Sequence, residues 1–253
     1  MIDHLGANKE LDQIKGITFR NGDESKKNFP RPIVDMDTMP RINYDLINVE
    51  AYFEKKGKRQ FDFISSIGCF FRCTFCADPF VFQRKFSAIS PKKMVDDLEY
   101  YQKKYQFDDI NFQEETFFTY AKCIQEFVKE ILNRNLQFTW AGTMRADQGE
   151  RLSDEVWLLA KKSGMRRLLI GVESGSQEMM DWLKKDIKIT QVFYCADKCA
   201  NLGIDVIFPF IVGLPNETDT RIRETVKTIK NYALKAMALI LQYFTLNHIQ
   251  VLK

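Results

Sequence analysis

The chain has 253 residues, 45% of them hydrophobic, with 37 basic against 34 acidic side chains and a formal charge of +3. That length and apolar content suit one large core, or one core with a small appendage, and a near-neutral balance without a basic tract gives nucleic-acid binding no electrostatic footprint. No stretch nears the roughly 18 consecutive apolar residues of a membrane span, and the start of the chain lacks the apolar centre of a signal peptide, so the six cysteines are expected to stay reduced in a cytoplasmic protein.

Residues 1–57 read as irregular, a linker or the remnant of a preceding domain. Within them residues 17–20 run into Asn21-Gly22, a pair suited to a type I′ hairpin turn. Pro30, Pro32 and Pro40 then punctuate an extended stretch. Across residues 58–253, strand and helix signals alternate. Apolar runs lie at 61–67, 107–112, 136–140, 168–172 and 204–212, with a weaker one at 238–244.

The segments between those runs are helical in pattern. Ser90-Pro91 starts one, with Met94, Val95, Leu98 and Tyr101 on a single face. Cys123, Ile124, Phe127, Val128, Ile131 and Leu132 stripe the next. Ser153 opens a third that Gly164 closes, Thr190 and Gly203 bracket a fourth, and Ile222, Val226 and Ile229 mark the last. Such β–α alternation predicts an α/β fold with a parallel sheet, curved into an incomplete barrel. Chemistry is then expected at the carboxyl ends of the strands.

Directly after the first of these runs comes Gly68-Cys69-Phe70-Phe71-Arg72-Cys73-Thr74-Phe75-Cys76, a C-x3-C-x2-C spacing. Three close thiolates can hold three corners of an iron–sulfur cubane, leaving the fourth iron open to a substrate. Gly68 permits a sharp exit from the strand. Arg72 is expected to place positive charge beside the anionic cluster, and the phenylalanines to exclude water. Zinc is the alternative, but it wants four ligands. Cys123, Cys195 or Cys199 could supply the fourth, although their spacing does not request it. Cys195 and Cys199, four apart on one helix, read as small buried residues, and Cys123 reads as core. His4 and His248 have no partners to recommend them.

The cysteine segment resembles the radical S-adenosylmethionine (SAM) superfamily, whose signature is CxxxCxΦC with Φ aromatic; Cys69, Cys73, Phe75 and Cys76 match it. The resemblance runs from residue 61 to about residue 232. It implies a partial (β/α)6 TIM-type barrel, a [4Fe–4S] cluster on Cys69, Cys73 and Cys76, and SAM as co-substrate. It also implies an electron donor such as flavodoxin or ferredoxin.

Further elements follow in order. Phe112-Gln113-Glu114-Glu115-Thr116-Phe117 is similar to an acidic variant of the family's amino-group motif, with Glu115 on the carboxylate position and Glu114 beside it. Arg145 resembles the residue that meets the SAM carboxylate or supports it. Gly171-Val172-Glu173-Ser174-Gly175-Ser176 resembles the element in which Glu173, helped by Ser174, takes the ribose hydroxyls, while Ser176 caps the next helix. Ile211 and Gly213, in the run ending Pro215-Asn216-Glu217, resemble the residues that pack on adenine. Glu217 also reads as a first-turn charge favoured by the helix dipole.

The stretch from Ile33 to Pro40, with Tyr44-Asp45-Leu46 and Tyr52-Phe53, resembles the linker before the radical domain of cobalamin-binding members. That branch implies methylation or rearrangement of a substrate that the sequence does not identify. The cobalamin histidine motif DxHxxG is absent, so cobalamin is expected only through a missing domain, and the chain is expected to be a fragment or a protein that has lost that domain, with truncation expected at its C-terminal end as well. The competing expectation is a degenerate, non-catalytic cluster-binding module.

Overall fold

Where strands fall is set by apolar alternation, and where they stop by glycines and polar caps. The computed structural model describes residues 11–233 and 239–245, the last seven and Ala233 by their backbone alone. His4, His248 and the final residues therefore lie outside the described residues, as do the side chains of Ile240 and Phe244.

The chain divides between Val34 and Asp35 into two compact units. In the first, β1 (Thr18–Asn21) pairs antiparallel with β2 (Glu24–Lys27). Asn21 pairs with Glu24, so the two-residue turn is Gly22-Asp23, one position later than the Asn-Gly reading. Gly22 supplies the positive φ, 66°, that a hairpin turn of this length needs.

The second unit opens with residues 35–57, which the sequence reading had set apart. Here Tyr44 packs on Phe61 and Tyr101, and the Tyr101 hydroxyl donates to the Ile42 carbonyl at 2.6 Å. In chain order there follow α1 (Val49–Lys56), β3 (Gln60–Phe63), β4 (Ser66–Gly68), α2 (Asp78–Val81), β5 (Phe86–Ala88), α3 (Pro91–Tyr105) and β6 (Asp109–Phe112). Next come α4 (Ala121–Asn133), β7 (Thr139–Met144), α5 (Ala146–Glu150), α6 (Asp154–Lys162) and β8 (Met165–Ile170). The last are α7 (Gln177–Trp182), α8 (Ile189–Leu202), β9 (Asp205–Val212), α9 (Asp219–Ala233) and β10 (Leu239–Thr245).

Six of these strands make one sheet in the order β3-β6-β7-β8-β9-β10, parallel throughout, which is the partial barrel expected. Its core lies between sheet and helices. Ile110, Trp140, Leu168, Ile170, Phe208 and Phe210 from the strands are fully buried with Leu98, Phe127, Ile131 and Val192 from the helices. Burying each such side chain contributes about 2 to 3 kcal/mol.

Alternation places polar partners on the other face at the strands' amino ends. Arg166 bonds Asp109 through both Nε and Nη2 at 2.6 Å, and Arg167 pairs with Asp205. That polarity explains why β8 begins three residues before the apolar run that announced it.

The single strand expected at 61–67 is two. Ser65 gives its N–H to the Glu114 carboxylate instead of to a strand, and β4 leaves the sheet to pair antiparallel with β5. Cys123 is exposed, not core. The buried stripe of α4 is Ile124, Phe127, Val128 and Ile131, and Cys123 stands about 100° off Ile124. Cys195 and Cys199 are buried in the core as expected. Ser176 occupies the position before α7, but its side chain makes no capping bond.

Candidate active site

The cysteine segment sits at the carboxyl end of the sheet because Gly68 turns it there. Gly68 adopts φ 84°, and a Cβ at this residue would lie 2.2 Å from the Lys85 carbonyl oxygen, so no other residue fits the turn. Cys73 is buried, and Cys69 and Cys76 are half-buried.

Each sulfur meets an N–H donor. The Phe71 amide serves Cys69, the Asp78 amide lies 3.5 Å from the Cys76 sulfur, and Arg145 Nη1 lies 3.8 Å from the Cys73 sulfur. Burial pushes the Cys69 thiol up, and Cys76 up to about 11, with the nearby Cys73 sulfur adding to both. Without a cationic centre among them, Cys69 and Cys76 stay protonated at neutral pH.

Among the described residues, no three His, Cys, Asp or Glu side chains converge on one point where a single ion would sit. A cubane asks for something else. Each thiolate meets its own iron, so the three sulfurs stand apart around a larger body. Cys69 and Cys76 each sense the Cys73 sulfur between them in sequence, and each of the three sulfurs has an N–H donor, an arrangement that fits that demand.

The loop is clasped from outside. Arg145, 6% exposed, lies with its guanidinium carbon 3.5 Å from the centre of the Phe71 ring. It also donates to Asp147 at 2.9 Å and to the Lys185 carbonyl at 2.5 Å. Its three nitrogens are thus engaged within the protein. Thr74 gives its N–H to the Leu183 carbonyl at 2.9 Å. Arg72 forks onto Asp186 at 2.8 and 3.0 Å, both groups exposed. The cation beside a cysteine sulfur is therefore Arg145, and not Arg72 as the sequence suggested.

Two adjacent glutamates end β6 with opposite environments. Glu114 is buried, its Oε1 accepting from the Ser65 amide and hydroxyl, and its Oε2 has no partner. Burial lifts its carboxyl to about 7, against the pull of Ser65. Glu115 is exposed. Its carboxyl is raised by partial burial and by Asp78, and lowered by the amide of Gly68, which places it against the entry to the cysteine loop.

Beyond β8, Glu173 holds a left-handed backbone, φ 68°, rare outside glycine and typical of functional sites. Its Oε1 accepts from Lys185 Nζ at 2.7 Å, and the side chains are 9% and 8% exposed. A Cβ on Gly171 would come within 2.6 Å of that oxygen and 2.8 Å of that nitrogen, so the glycine makes room for the pair. Lys185 Nζ also lies 5.6 Å from the centre of the Phe75 ring.

Ser174 turns the other way, its hydroxyl 3.2 Å from that of Thr225 on α9. Ile211 packs on Met179, Leu183 and Leu214. Gly213, at φ 89°, has open space where a side chain would stand. Its amide donates to Glu217 at 2.7 Å, so Glu217 ties its own turn.

Lys185 was missed in the sequence, hidden in Lys184-Lys185-Asp186. The signal was present as a period of two: Leu183, Lys185 and Ile187 are buried, while Lys184 and Asp186 are exposed.

A family model described as the radical SAM superfamily matches residues 63–229. An uncharacterized methyltransferase of Pyrococcus horikoshii is 24% identical over 231 residues, covering 91% of this chain and 50% of its own length. Anaerobic magnesium-protoporphyrin IX monomethyl ester cyclase of Rubrivivax gelatinosus is 31% identical over 166 residues, covering 65% and 29%. The chain thus spans half the length of these relatives or less.

Among solved structures, the cobalamin-dependent SAM radical enzyme OxsB, with aqua-cobalamin and SAM bound, superposes with a TM-score of 0.78 at 23% identity, over 94% of this chain and 35% of that one. The radical SAM methyltransferase TsrM of Kitasatospora setae, with tryptophan and a SAM analogue bound, gives 0.78 at 14% identity, over 95% and 48%. At such identities the likeness is one of fold.

Proposed function

The chain belongs to the radical SAM superfamily and is the core of a radical SAM enzyme, and from that premise we propose how its own residues serve the reaction. Cys69, Cys73 and Cys76 are the residues that would hold a [4Fe–4S] cluster through their thiolates. The observation that carries this is the set of three neighbouring sulfurs, each supplied with an N–H donor, at the carboxyl end of a parallel sheet. A cluster bound there supplies the single electron that splits the sulfonium of SAM into methionine and a 5′-deoxyadenosyl radical.

Glu115, exposed beside Gly68, receives the ammonium of the methionine moiety. Glu114 holds the turn at Ser65 beneath it. Arg145 has its donors engaged, so its part is to fix Cys73 and Phe71. Glu173, paired with Lys185, faces the ribose side, and the open space above Gly213 with Ile211 beside it receives the adenine. Phe71, under the Arg145 guanidinium, limits water on the Cys73 side, while Phe75 is itself exposed.

The outcome proposed is methyl transfer or rearrangement at a C–H bond, in keeping with methyltransferases and a cyclase among the relatives. Cobalamin, held by OxsB and TsrM, enters only as a group that a further domain would bring. A reducing, cytoplasmic setting suits the free thiols.

The test is anaerobic reconstitution. About four irons and four sulfides per chain are expected, with SAM cleavage to 5′-deoxyadenosine under strong reductant. Cys73→Ala is expected to lose the visible charge-transfer band and the iron together. Retention of both in that variant would remove Cys73 from the ligand set.

A further inference from the structure

A closed parallel barrel fills its inside with layers of bulky branched side chains. The open sheet here is lined differently. Its helix-facing residues Ile110, Trp140, Leu168 and Phe208 are fully buried, whereas the alternate residues Asn111, Arg167, Leu169, Ile207 and Pro209 are only half-buried. The face turned away from the helices therefore keeps accessible surface along its length. Strand register lays a row across that face. Asp62 on β3 stands beside Asn111 on β6, followed by Ala141 on β7, Arg167 on β8 and Asp205 on β9. Registered neighbours in a sheet share a face.

On the β3 side of Ala141 the polar groups satisfy one another. Lys56 and Gln113 bond Asp62, Asn111 bonds Gln60, and Arg166 binds both Asp109 and Asn111. Arg167 differs. Among the described residues, its side chain has one polar partner, Asp205, met by Nη2 alone at 3.2 Å, and its Nε is buried with no acceptor. The side chain is 32% exposed. Asp205 stands on the β9 side, so it holds one edge of the guanidinium and leaves the edge over Ala141 free of carboxylate. Ala141 is the one small side chain of the row. The next row toward the carboxyl ends places Leu169 beside Ile207. A guanidinium with donors to spare thus stands next to a gap, with apolar side chains between it and the end of the sheet.

We propose that the substrate lies along this face, and that Arg167 takes the carboxylate or phosphate end of an amphipathic organic anion. The proposal rests on the reading of the carboxyl ends of the strands as the SAM site. Arg167 precedes Gly171, at the end of β8, by four positions, which at about 3.3 Å per residue is about 13 Å. The substrate spans that depth, with its reacting C–H bond at the carboxyl ends and its charged group on Arg167. Its middle is apolar where it crosses Leu169 and Ile207. The planar fork of a guanidinium suits two oxygens of either anionic group, and the apolar neighbours strengthen the pairing by keeping water from it. A neutral molecule of the same shape leaves the fork unanswered, so the site selects by charge.

The test uses the reconstituted chain, with its iron counted, and three probes of one chain length: octanoate, octyl phosphate and octan-1-ol. Affinity is measured by isothermal titration calorimetry. The place of binding is read by labelling with phenylglyoxal, an arginine reagent, and mass spectrometry that resolves Arg167 from Arg166. The variants are Arg167→Gln and Arg167→Lys, each compared with the parent in Tm.

At least one anion is expected to bind about tenfold or more tightly than the alcohol and to protect Arg167 from phenylglyoxal. The better of the two tells carboxylate from phosphate. Arg167→Gln is expected to bring that anion down to the affinity of the alcohol while leaving the alcohol as in the parent, and Arg167→Lys to keep part of the preference. Anions that bind no better than the alcohol overturn the proposal, as does a preference that survives Arg167→Gln. Labelling of the parent needs no variant, so an anion that binds without protecting Arg167 overturns the site even where Arg167→Gln does not fold. Iron content and 5′-deoxyadenosine release under dithionite report separately on the radical SAM reading. A chain that holds iron and cleaves SAM yet shows no preference for the anions loses this substrate site alone. A chain that does neither overturns the reading on which the site rests, and the substrate role with it.

Discussion

Replacing Glu114 by glutamine tests how the turn beneath the candidate SAM site is held. Glu114 accepts two hydrogen bonds from Ser65 on one oxygen, while the other is buried without a partner. Burial outweighs the two donors and lifts the carboxyl from its ordinary 4.5 to about 7, with the charge of Glu115 adding to the rise. In the folded chain the group therefore keeps a proton that the unfolded chain has already released.

Its stabilising contribution is complete below the unfolded value of 4.5 and is lost as pH climbs through the folded value of about 7. At about 1.4 kcal/mol for each pKa unit, the loss is roughly 3 kcal/mol. Glutamine has the same outline and no proton to lose. The stability difference, Glu114→Gln minus parent, is expected to grow by roughly 3 kcal/mol between about pH 4.5 and pH 8. Urea denaturation of the metal-free chain at successive pH values reads this directly, since every other titrating group is common to both proteins. A difference that stays level with pH would refute the reasoning. So would a variant that falls below the parent above pH 5, because the donors of Ser65 would then be holding an ionised carboxylate.

Three other perturbations follow from the geometry. Gly68→Ala combines a positive φ with a Cβ 2.2 Å from a backbone oxygen, and is expected to lower stability by about 3 kcal/mol or more, read as a drop in Tm and in iron uptake. Glu115→Ala is expected to weaken SAM binding to the reconstituted chain by roughly tenfold to a hundredfold, measured by equilibrium dialysis, with the cluster spectrum unchanged. Unaltered affinity would move the ammonium site elsewhere. Lys185→Met leaves Glu173 buried without its partner and is expected to lose about 3 to 5 kcal/mol, much of it recovered by adding Glu173→Gln; no recovery in the double variant would show that the lysine's stem, not its charge, matters.

What the sequence made legible is what it keeps contiguous. Cys69, Cys73 and Cys76 share eight positions with a glycine before them, so spacing suggested the cluster reading, and apolar runs fell on or beside the six strands of the sheet, the run at 136–140 meeting β7 only at Thr139 and Trp140. Contacts across long separations were not legible. Cys73 meets Arg145 across 72 positions and Ser65 meets Glu114 across 49, and no local pattern announces either. Arg72 shows the hazard of judging by proximity. It lies one residue from Cys73, yet its chain points outward to Asp186, while the cation that reaches the sulfur comes from the end of β7. Cys123 failed for a related reason, since a helical stripe drawn from apolar residues admits a neighbour that the true face, about 100° away, leaves in water.

The site's coherence comes from one short segment that carries no motif. Leu183 accepts from the Thr74 amide, Lys185 accepts from Arg145 on its carbonyl and pairs with Glu173 through its ammonium, and Asp186 holds Arg72. The cysteine loop is thus fastened to the stretch between α7 and α8, and through Glu173 to the end of β8. Among these ties the exposed Arg72–Asp186 pair contributes little, because solvent and salt screen it. The buried bonds to Leu183 and Lys185 contribute more, since groups left unpaired there would have no water to turn to. A ligand that draws Glu173 or Lys185 toward itself therefore pulls on the same residues that position Cys73. This gives Glu173, the proposed ribose contact, and Cys73, a proposed cluster ligand, a physical connection through the protein itself.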